Sequence, residues 1–360
     1  MSEEIIVTNI GRLEKKCGQG IKAVLKTLAD HQKKSKQLGI DVQLVCLDDA
    51  VQMIKFKAPA VTSATSARQN KNAIDAIYQK LYPDCMMILG ASDVIPHQDM
   101  KNPKFNDVDD DKLALGDLPY CCNAPYSKEP GNFLAPTRVV GRLPDLTRSN
   151  SPTEDSQVAN TNYLISVLKT ATGYTQRSAN SYKSYLSISA KAWEKSTQES
   201  TQKLFGSSSK LQFSPPKGPA WNRSLLRRRV HFINCHGAPA DHHFYGQRDD
   251  QYPVAHDSQY LTNSNISPGT VVAAECCYGA ELYDPVLTQG QLSICNAYLL
   301  AGAYAFFGST TIAYGPASGN GAADLLTQYF IKYTLSGAST GRAALEARQE
   351  FIREASASSN

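Results

Sequence analysis

No stretch of this 360-residue chain approaches the ~20 consecutive apolar residues that a membrane-spanning helix needs. The N-terminus, MSEEIIVTNIGRLEKK, has acidic residues where a secretion signal has basic ones, and its apolar run is short. The expectation is a cytoplasmic protein, or one that has lost a leader, with no membrane partner. Also missing are GxGxxG and GxxxxGK[ST], the Gly-rich loops that cradle nucleotide phosphates. There is no CxxC and no Cys/His spacing of the kind that holds structural zinc. The 37 Lys and Arg are scattered among 33 Asp and Glu, for a net charge of +4. No basic stripe interleaved with aromatics is present, so nucleic acid is not an expected partner. The one basic run, Arg227 to Arg229, reads as the solvated end of a helix, where cations suit the carbonyl end of the dipole.

What is present is ordinary globular composition, 42% hydrophobic and 19% charged, which can offset chain entropy by burial. The length suits two modest domains or one large α/β unit. Nine cysteines is an odd number, so at least one thiol has no partner within the chain. Cys46, Cys85 and Cys235 lie inside apolar, strand-like runs, and such thiols read as reduced core residues.

Periodicity predicts strands at 5–7, 41–47 and 84–89 with helices at 18–37 and 67–82, a βαβαβ pattern that favours a parallel sheet. Residues 90–136 lose the pattern before TRVVGRL returns as a strand. In the polar loop NDVDDDK, the spacing of Asp107, Asp109 and Asp111 resembles the start of a calcium loop. However, Lys112 stands where that loop needs Gly, and no Glu closes it. A solvated acidic loop is the reading, with calcium kept as a candidate regulator and no cofactor required.

The turn-rich connector 145–157 places the boundary between an N-terminal part, 1–150, and a C-terminal part, 151–360. In the second part strands are predicted at 185–190, 211–213, VHFIN, TVVAA and YAFFG, with helices at 158–172, 191–206, 221–228, 320–334 and 339–355. Both parts are expected to be three-layer α/β/α units with mostly parallel sheets. The exposed polar stretches 59–72, 101–112 and 145–157 are candidate sites of cleavage or regulation.

Two of these strands end in reactive residues. RVHFINCHG ends in His236-Gly237, and TVVAAECCYG ends in Cys276-Cys277-Tyr278-Gly279. In an open parallel sheet, functional groups gather beyond the carboxyl ends of the strands. A free thiol is mostly protonated at neutral pH, and a nearby imidazole raises its thiolate fraction. The N–H groups of Gly237 and Cys276 would then hold the oxyanion that develops on an attacked carbonyl. Each motif alone is weak, since a strand-end His is usually satisfied in a turn and a strand-end Cys is usually a core thiol. Their pairing, about 40 residues apart, is what suggests nucleophilic catalysis.

This second part resembles the gingipain-like cysteine peptidases, relatives of the caspases, in the strand ending His236-Gly237, the strand ending Cys276-Cys277-Tyr278-Gly279, and LTNSN upstream of the latter. ILGASDVIP (88–96), VVGRLPD (139–145) and YLLAGAYAFFGSTTIAYGP (298–316) extend the likeness over most of the chain from about residue 84. The resemblance implies a caspase-like sandwich of two side-by-side subdomains, the first lacking the catalytic pair. It also implies an endopeptidase working through a Cys-His dyad and a thioester acyl-enzyme on a protein or peptide substrate, under control of a regulatory partner, calcium or self-cleavage. Gingipain-like spacing selects Cys276 as nucleophile, and caspase spacing selects Cys277 as the alternative; Cys276 is favoured. An acidic third member orienting the imidazole would be Asp145 or Glu154. Tyr278, Phe244 and Tyr245 are candidates for the substrate pocket. Asp241-His242-His243 reads as solvent-facing rather than as a metal site. The competing readings are a non-catalytic caspase-like scaffold and a nucleotide-binding α/β domain.

Overall fold

A computed structural model describes residues 2–105, 109–148 and 152–357. Asp107 of the acidic loop and residues 149–151 of the expected connector lie outside the described residues. The chain divides into two compact units, 1–173 and 174–360. The boundary therefore falls after Gly173 rather than near residue 150.

The first unit contains strands β1 (Ser2–Thr8), β2 (Ile40–Cys46), β3 (Cys85–Leu89), β4 (Gln98–Lys101), β5 (Leu113–Gly116) and β6 (Val140–Leu143). Its helices are α1 (Ile10–Cys17), α2 (Ile21–Gln37), α3 (Ala50–Ile54), α4 (Ala67–Leu81) and α5 (Glu154–Thr172). The main sheet is parallel, in the order β2-β1-β3-β6. Ile5, Ile6 and Val7 in β1 are fully buried, as expected of a central strand covered on both faces. β4 and β5, which the sequence reading left as loop, pair as an antiparallel ribbon.

Helix α5 belongs to this unit because Leu164, Val167 and Leu168 are buried and the helix packs along α1 and α2. Its buried Asn160 accepts from the Leu146 N–H at 2.8 Å and donates to Asp145 at 3.0 Å. What reads as a linker in the sequence is thus pinned into the unit at both ends.

The second unit contains β7 (Tyr185–Ala190), β8 (Leu211–Ser214), β9 (Val230–Asn234), β10 (His236–Gly237), β11 (His243–Tyr245), β12 (Val254–Asp257), β13 (Val271–Ala274) and β14 (Ala305–Gly308). Its helices are α6 (Glu194–Phe205), α7 (Arg223–Leu226), α8 (Ile294–Leu300), α9 (Ala322–Leu335) and α10 (Thr340–Ala357). Five strands form a parallel sheet ordered β14-β13-β9-β7-β8.

Alternation along these strands feeds two separate cores. Leu186, Ile188, Ile233, Val272 and Ala274 pack with Leu226 of α7 and Ile294, Ala297 and Tyr298 of α8. Val230, Phe232, Val271 and Ala273 pack with Phe330 and Ile331 of α9 and Ala343 and Ala347 of α10. The sheet is therefore covered on both faces, and this unit is a three-layer α/β/α assembly. Between β9 and β13 the chain makes a small antiparallel sheet, β10-β11-β12, which the sequence reading missed. Among the described residues no helix is long and apolar enough to cross a membrane.

Candidate functional site

β9 and β13 are adjacent and parallel, with Ile233 beside Ala274, so the residues that follow both strands emerge at the same sheet edge. Past β9 comes buried Cys235, whose thiol is pushed up by desolvation, and then His236 and Gly237, paired with Tyr245 and Phe244 of β11. Past β13 come Glu275, Cys276 and Cys277. The two segments touch at Gly237, where a Cβ would lie only 1.9 Å from the carbonyl oxygen of Cys277. Only a residue without a side chain permits that approach.

The two cysteines have opposite surroundings. Cys276 has no exposed surface and sits in the core beneath α8, its sulfur 3.9 Å from the carbonyl oxygen of Ile233. Burial, and next the neighbouring Cys235 sulfur, push its thiol well above the usual range. The expected nucleophile Cys276 therefore lies among core side chains. Cys277 is only half-buried. Its sulfur lies 3.4 Å from the N–H of Ala313 and 3.5 Å from the Ala313 carbonyl. The next residue, Tyr278, has φ of +53°, in the left-handed region that a bulky residue seldom adopts. A turn closed by Gly279 N–H to the Cys276 carbonyl at 3.1 Å, and by Tyr278 N–H to Thr311 at 2.8 Å, holds it there. Such strain, over-determined by its surroundings, is characteristic of functional turns.

The imidazole of His236 is clamped. Its ring centroid is 4.3 Å from that of Trp193 and 5.2 Å from that of Tyr252. Its Nε2 lies 2.8 Å from Gln247 Oε1. The amide of Gln247 is oriented by its NH₂, which donates to the Asp249 carbonyl at 3.3 Å and to Tyr252 Oη at 3.1 Å. An amide oxygen only accepts, so Nε2 carries a proton, and Nδ1 is the nitrogen left to exchange one. The Gln247 backbone is itself fixed, its N–H on Ser214 at 3.1 Å and its carbonyl on Ala192 N–H at 3.0 Å.

Both acidic candidates for a third member lie in the first unit. Asp145 is fully buried in the first unit, bound to Lys16 at 2.7 Å, Ala91 N–H at 2.7 Å and Asn160 at 3.0 Å. Glu154 is exposed in the first turn of α5, where its charge suits the helix N-terminus. The resembling segments 88–96 and 139–145 clasp one another: Arg142 donates to the carbonyls of Gly90 and Ile95 at 2.8 and 2.9 Å and pairs with Asp117 at 2.7 Å. These contacts build the first unit.

Of the pocket candidates, Phe244 is 3% exposed and belongs to the core. Tyr245 is half-buried and donates to Asp241 Oδ2 at 2.6 Å; burial, then that carboxylate, push its hydroxyl up to about 12. Tyr278 is half-buried beside Cys277.

Sequence reasoning missed Gln247 and Trp193, which have no motif, and a carboxyl pair behind the cysteines. Glu275 is 7% exposed, Asp324 fully buried, and one Glu275 oxygen has no hydrogen-bond partner. Burial, and next the charge of Asp324, push Glu275 up to about 10, so it holds a proton at neutral pH. Gly315 lies over the pair, where a Cβ would be 2.4 Å from Glu275 Oε1 and 3.0 Å from Asp324 Oδ2. All nine cysteines are free thiols. Comparison with protein-family models, with curated proteins and with solved structures gave no match to this chain.

Proposed function

We propose that the second unit is a cysteine endopeptidase of caspase-like architecture, with Cys277 as nucleophile, His236 as acid and base, and a preference for cutting after a basic side chain. The observation that carries the reading is the Gly237–Cys277 contact, which brings the His236 strand end against the backbone of the half-buried cysteine.

The Cys277 thiol passes its proton to His236, and the resulting thiolate attacks a peptide carbonyl, forming a C–S bond and moving the carbonyl electron pair onto oxygen. The Gly237 N–H, together with the N–H of the nucleophile's own residue, holds that oxyanion. Collapse breaks the C–N bond, and the His236 imidazolium passes its proton to the leaving amine. Water, deprotonated by the now neutral His236, then attacks the thioester and regenerates the thiol. Gln247 and Trp193 position the imidazole throughout.

Glu275 lies two residues before the nucleophile and forms an acidic pair with Asp324 under Gly315. A guanidinium or ammonium group entering there replaces the retained proton as counter-charge, whereas an acidic side chain meets repulsion.

A panel of fluorogenic peptides differing only in the residue before the cut tests both parts. Cleavage after Arg or Lys, abolished in Cys277→Ala and in His236→Ala, is the expected result. Absence of turnover on every peptide, with no thiol labelling by peptidyl warheads, would point instead to a non-catalytic scaffold.

A further inference from the structure

The segment between His236 and Gln247 carries a second cluster that the cysteine chemistry does not use. Asp241, His242 and His243 each place one donor atom within 4.8 Å of the others. The two imidazole centroids are 3.6 Å apart. From the end of β12, the 7%-exposed Asp257 approaches both rings, its Oδ1 3.2 Å from His242 Nδ1 and its Oδ2 3.5 Å from His243 Nε2. On the other side Asp241 Oδ1 lies 2.8 Å from His243 Nδ1, and its Oδ2 accepts from Tyr245.

Sequence alone made these histidines solvent-facing. The structure instead gathers two imidazoles and two carboxylates from β11, β12 and the loop before them, all half-buried or better. With metal–ligand bonds of about 2.0–2.2 Å, the donors of a tetrahedral ion stand about 3.3–3.6 Å apart. One ligand atom from each of Asp241, His242 and His243 lies within 4.8 Å of the others, so small side-chain movements suffice, and Asp257 meets the two rings from outside that set. An ion of charge +2 neutralises both carboxylates while both imidazoles stay neutral. Two nitrogen donors disfavour calcium, which takes six to eight oxygens, and favour a borderline transition ion.

We propose that Asp241, His242 and His243 form a binding site for Zn²⁺, with Asp257 orienting the two imidazoles and a water completing the four-coordinate shell. The ion would tie β11 to the loop 238–242. That loop is also joined to the segment after Cys277, since Ala240 N–H donates to Glu281 Oε2 at 2.7 Å. The site therefore lies on the sheet that presents His236, yet its existence does not depend on the cysteine chemistry.

The test uses the full chain stripped by a chelator and titrated with Co²⁺, which reports its ligands by absorption, followed by displacement with Zn²⁺. The expected result is one Co²⁺ per chain, with the intense d–d bands of a four-coordinate site and no sulfur-to-metal charge-transfer band. His242→Gln and His243→Gln, made singly, should each weaken binding at least tenfold to a hundredfold, and Cys277→Ala should leave it unchanged. Zn²⁺ should raise the melting temperature of the parent chain, and millimolar Ca²⁺ should not. A charge-transfer band would assign the metal to cysteines and overturn the proposal. Binding that survives in either histidine variant that folds, or no saturable binding to the parent chain, would overturn it equally; the parent spectrum decides even where both variants misfold.

Discussion

The backbone of Gly237 stands so close to Cys277 that no β-carbon fits between them: built on Gly237, it would be 1.9 Å from the Cys277 carbonyl oxygen. Because that obstacle is backbone, it cannot swing aside. Gly237→Ala should therefore push the His236 strand end away from the cysteine. A displacement of about 1 Å in reacting groups costs on the order of a hundredfold in rate. The expected outcome is at least that loss in kcat/KM together with a lowered melting temperature. Full activity in a folded Gly237→Ala protein would remove the contact from the site.

Cys276 and Cys277 are neighbours in sequence but differ in burial, and a peptidyl electrophile should tell them apart. Cys276→Ala should still be labelled stoichiometrically, losing on the order of 1 kcal/mol of stability to the small cavity left in the core. Cys277→Ala should lose labelling and turnover while keeping its melting temperature. The reverse pattern would restore Cys276 as the nucleophile.

Gln247 gives a third outcome, because it touches the imidazole without facing the nucleophile through any described contact. Gln247→Ala frees the ring to rotate between Trp193 and Tyr252 and leaves Nε2 without its acceptor. The expected effect is on the order of a tenfold fall in kcat with KM nearly unchanged, since proton transfer rather than binding is impaired. An unaltered kcat would make Gln247 a bystander.

The strands of both main sheets were legible because each is a short apolar run, and VHFIN and YLSISA form strands with the bounds their composition suggests. The site was legible only to the point of placing a His and two cysteines at strand ends. The different burial of Cys276 and Cys277 was not legible, because alternation along β13 does not say where the strand stops and the turn begins. The sheet β10-β11-β12 was hidden because its strands are two to four residues long and rich in His, Asp and Tyr, with no run of β-branched residues. The surroundings of Asp145 were hidden for a different reason: its partners Lys16, Ala91 and Asn160 are scattered along the first unit.

A buried chain of hydrogen bonds predicts acid lability. His231 Nε2 faces the Leu226 carbonyl at 3.1 Å and so carries a proton; its Nδ1 accepts from Tyr298 Oη at 2.7 Å, and Tyr298 in turn accepts from His256 Nε2 at 2.9 Å. Burial lowers His231 to about 4 and His256 to about 3. Both fall below the unfolded value of about 6.5, so below it the unfolded chain binds more protons and stability is lost as pH falls. Denaturant titration should show a decline of several kcal/mol in order of magnitude from about pH 6.5 to about pH 4. Tyr298→Phe breaks both bonds and should cost about 1–3 kcal/mol at neutral pH. A flat profile across that range would show that the two imidazoles are not held neutral.

Glu275, behind the cysteines, titrates in the opposite sense. Glu275 is raised to about 10 in the folded chain, so above its unfolded value of about 4.5 the folded state keeps a proton that the unfolded chain releases. Stability must then fall as pH rises from about 5 to about 9, by an amount on the order of a few kcal/mol. Glu275→Gln is isosteric and carries no such proton, so it should flatten that slope, leaving the protein little changed near pH 5 and measurably more stable near pH 9. If the pair also receives a basic side chain, the same variant should lose most of its kcat/KM on Arg and Lys peptides while its thiol still reacts with a small, uncharged electrophile. Added stability without loss of basic specificity would mark the pair as a burial cost unrelated to substrate. Loss of both specificity and thiol reactivity would mean that the substitution had disturbed Cys277 itself. The combination of higher alkaline stability and lost preference for basic residues is the outcome that ties this buried acid to substrate choice.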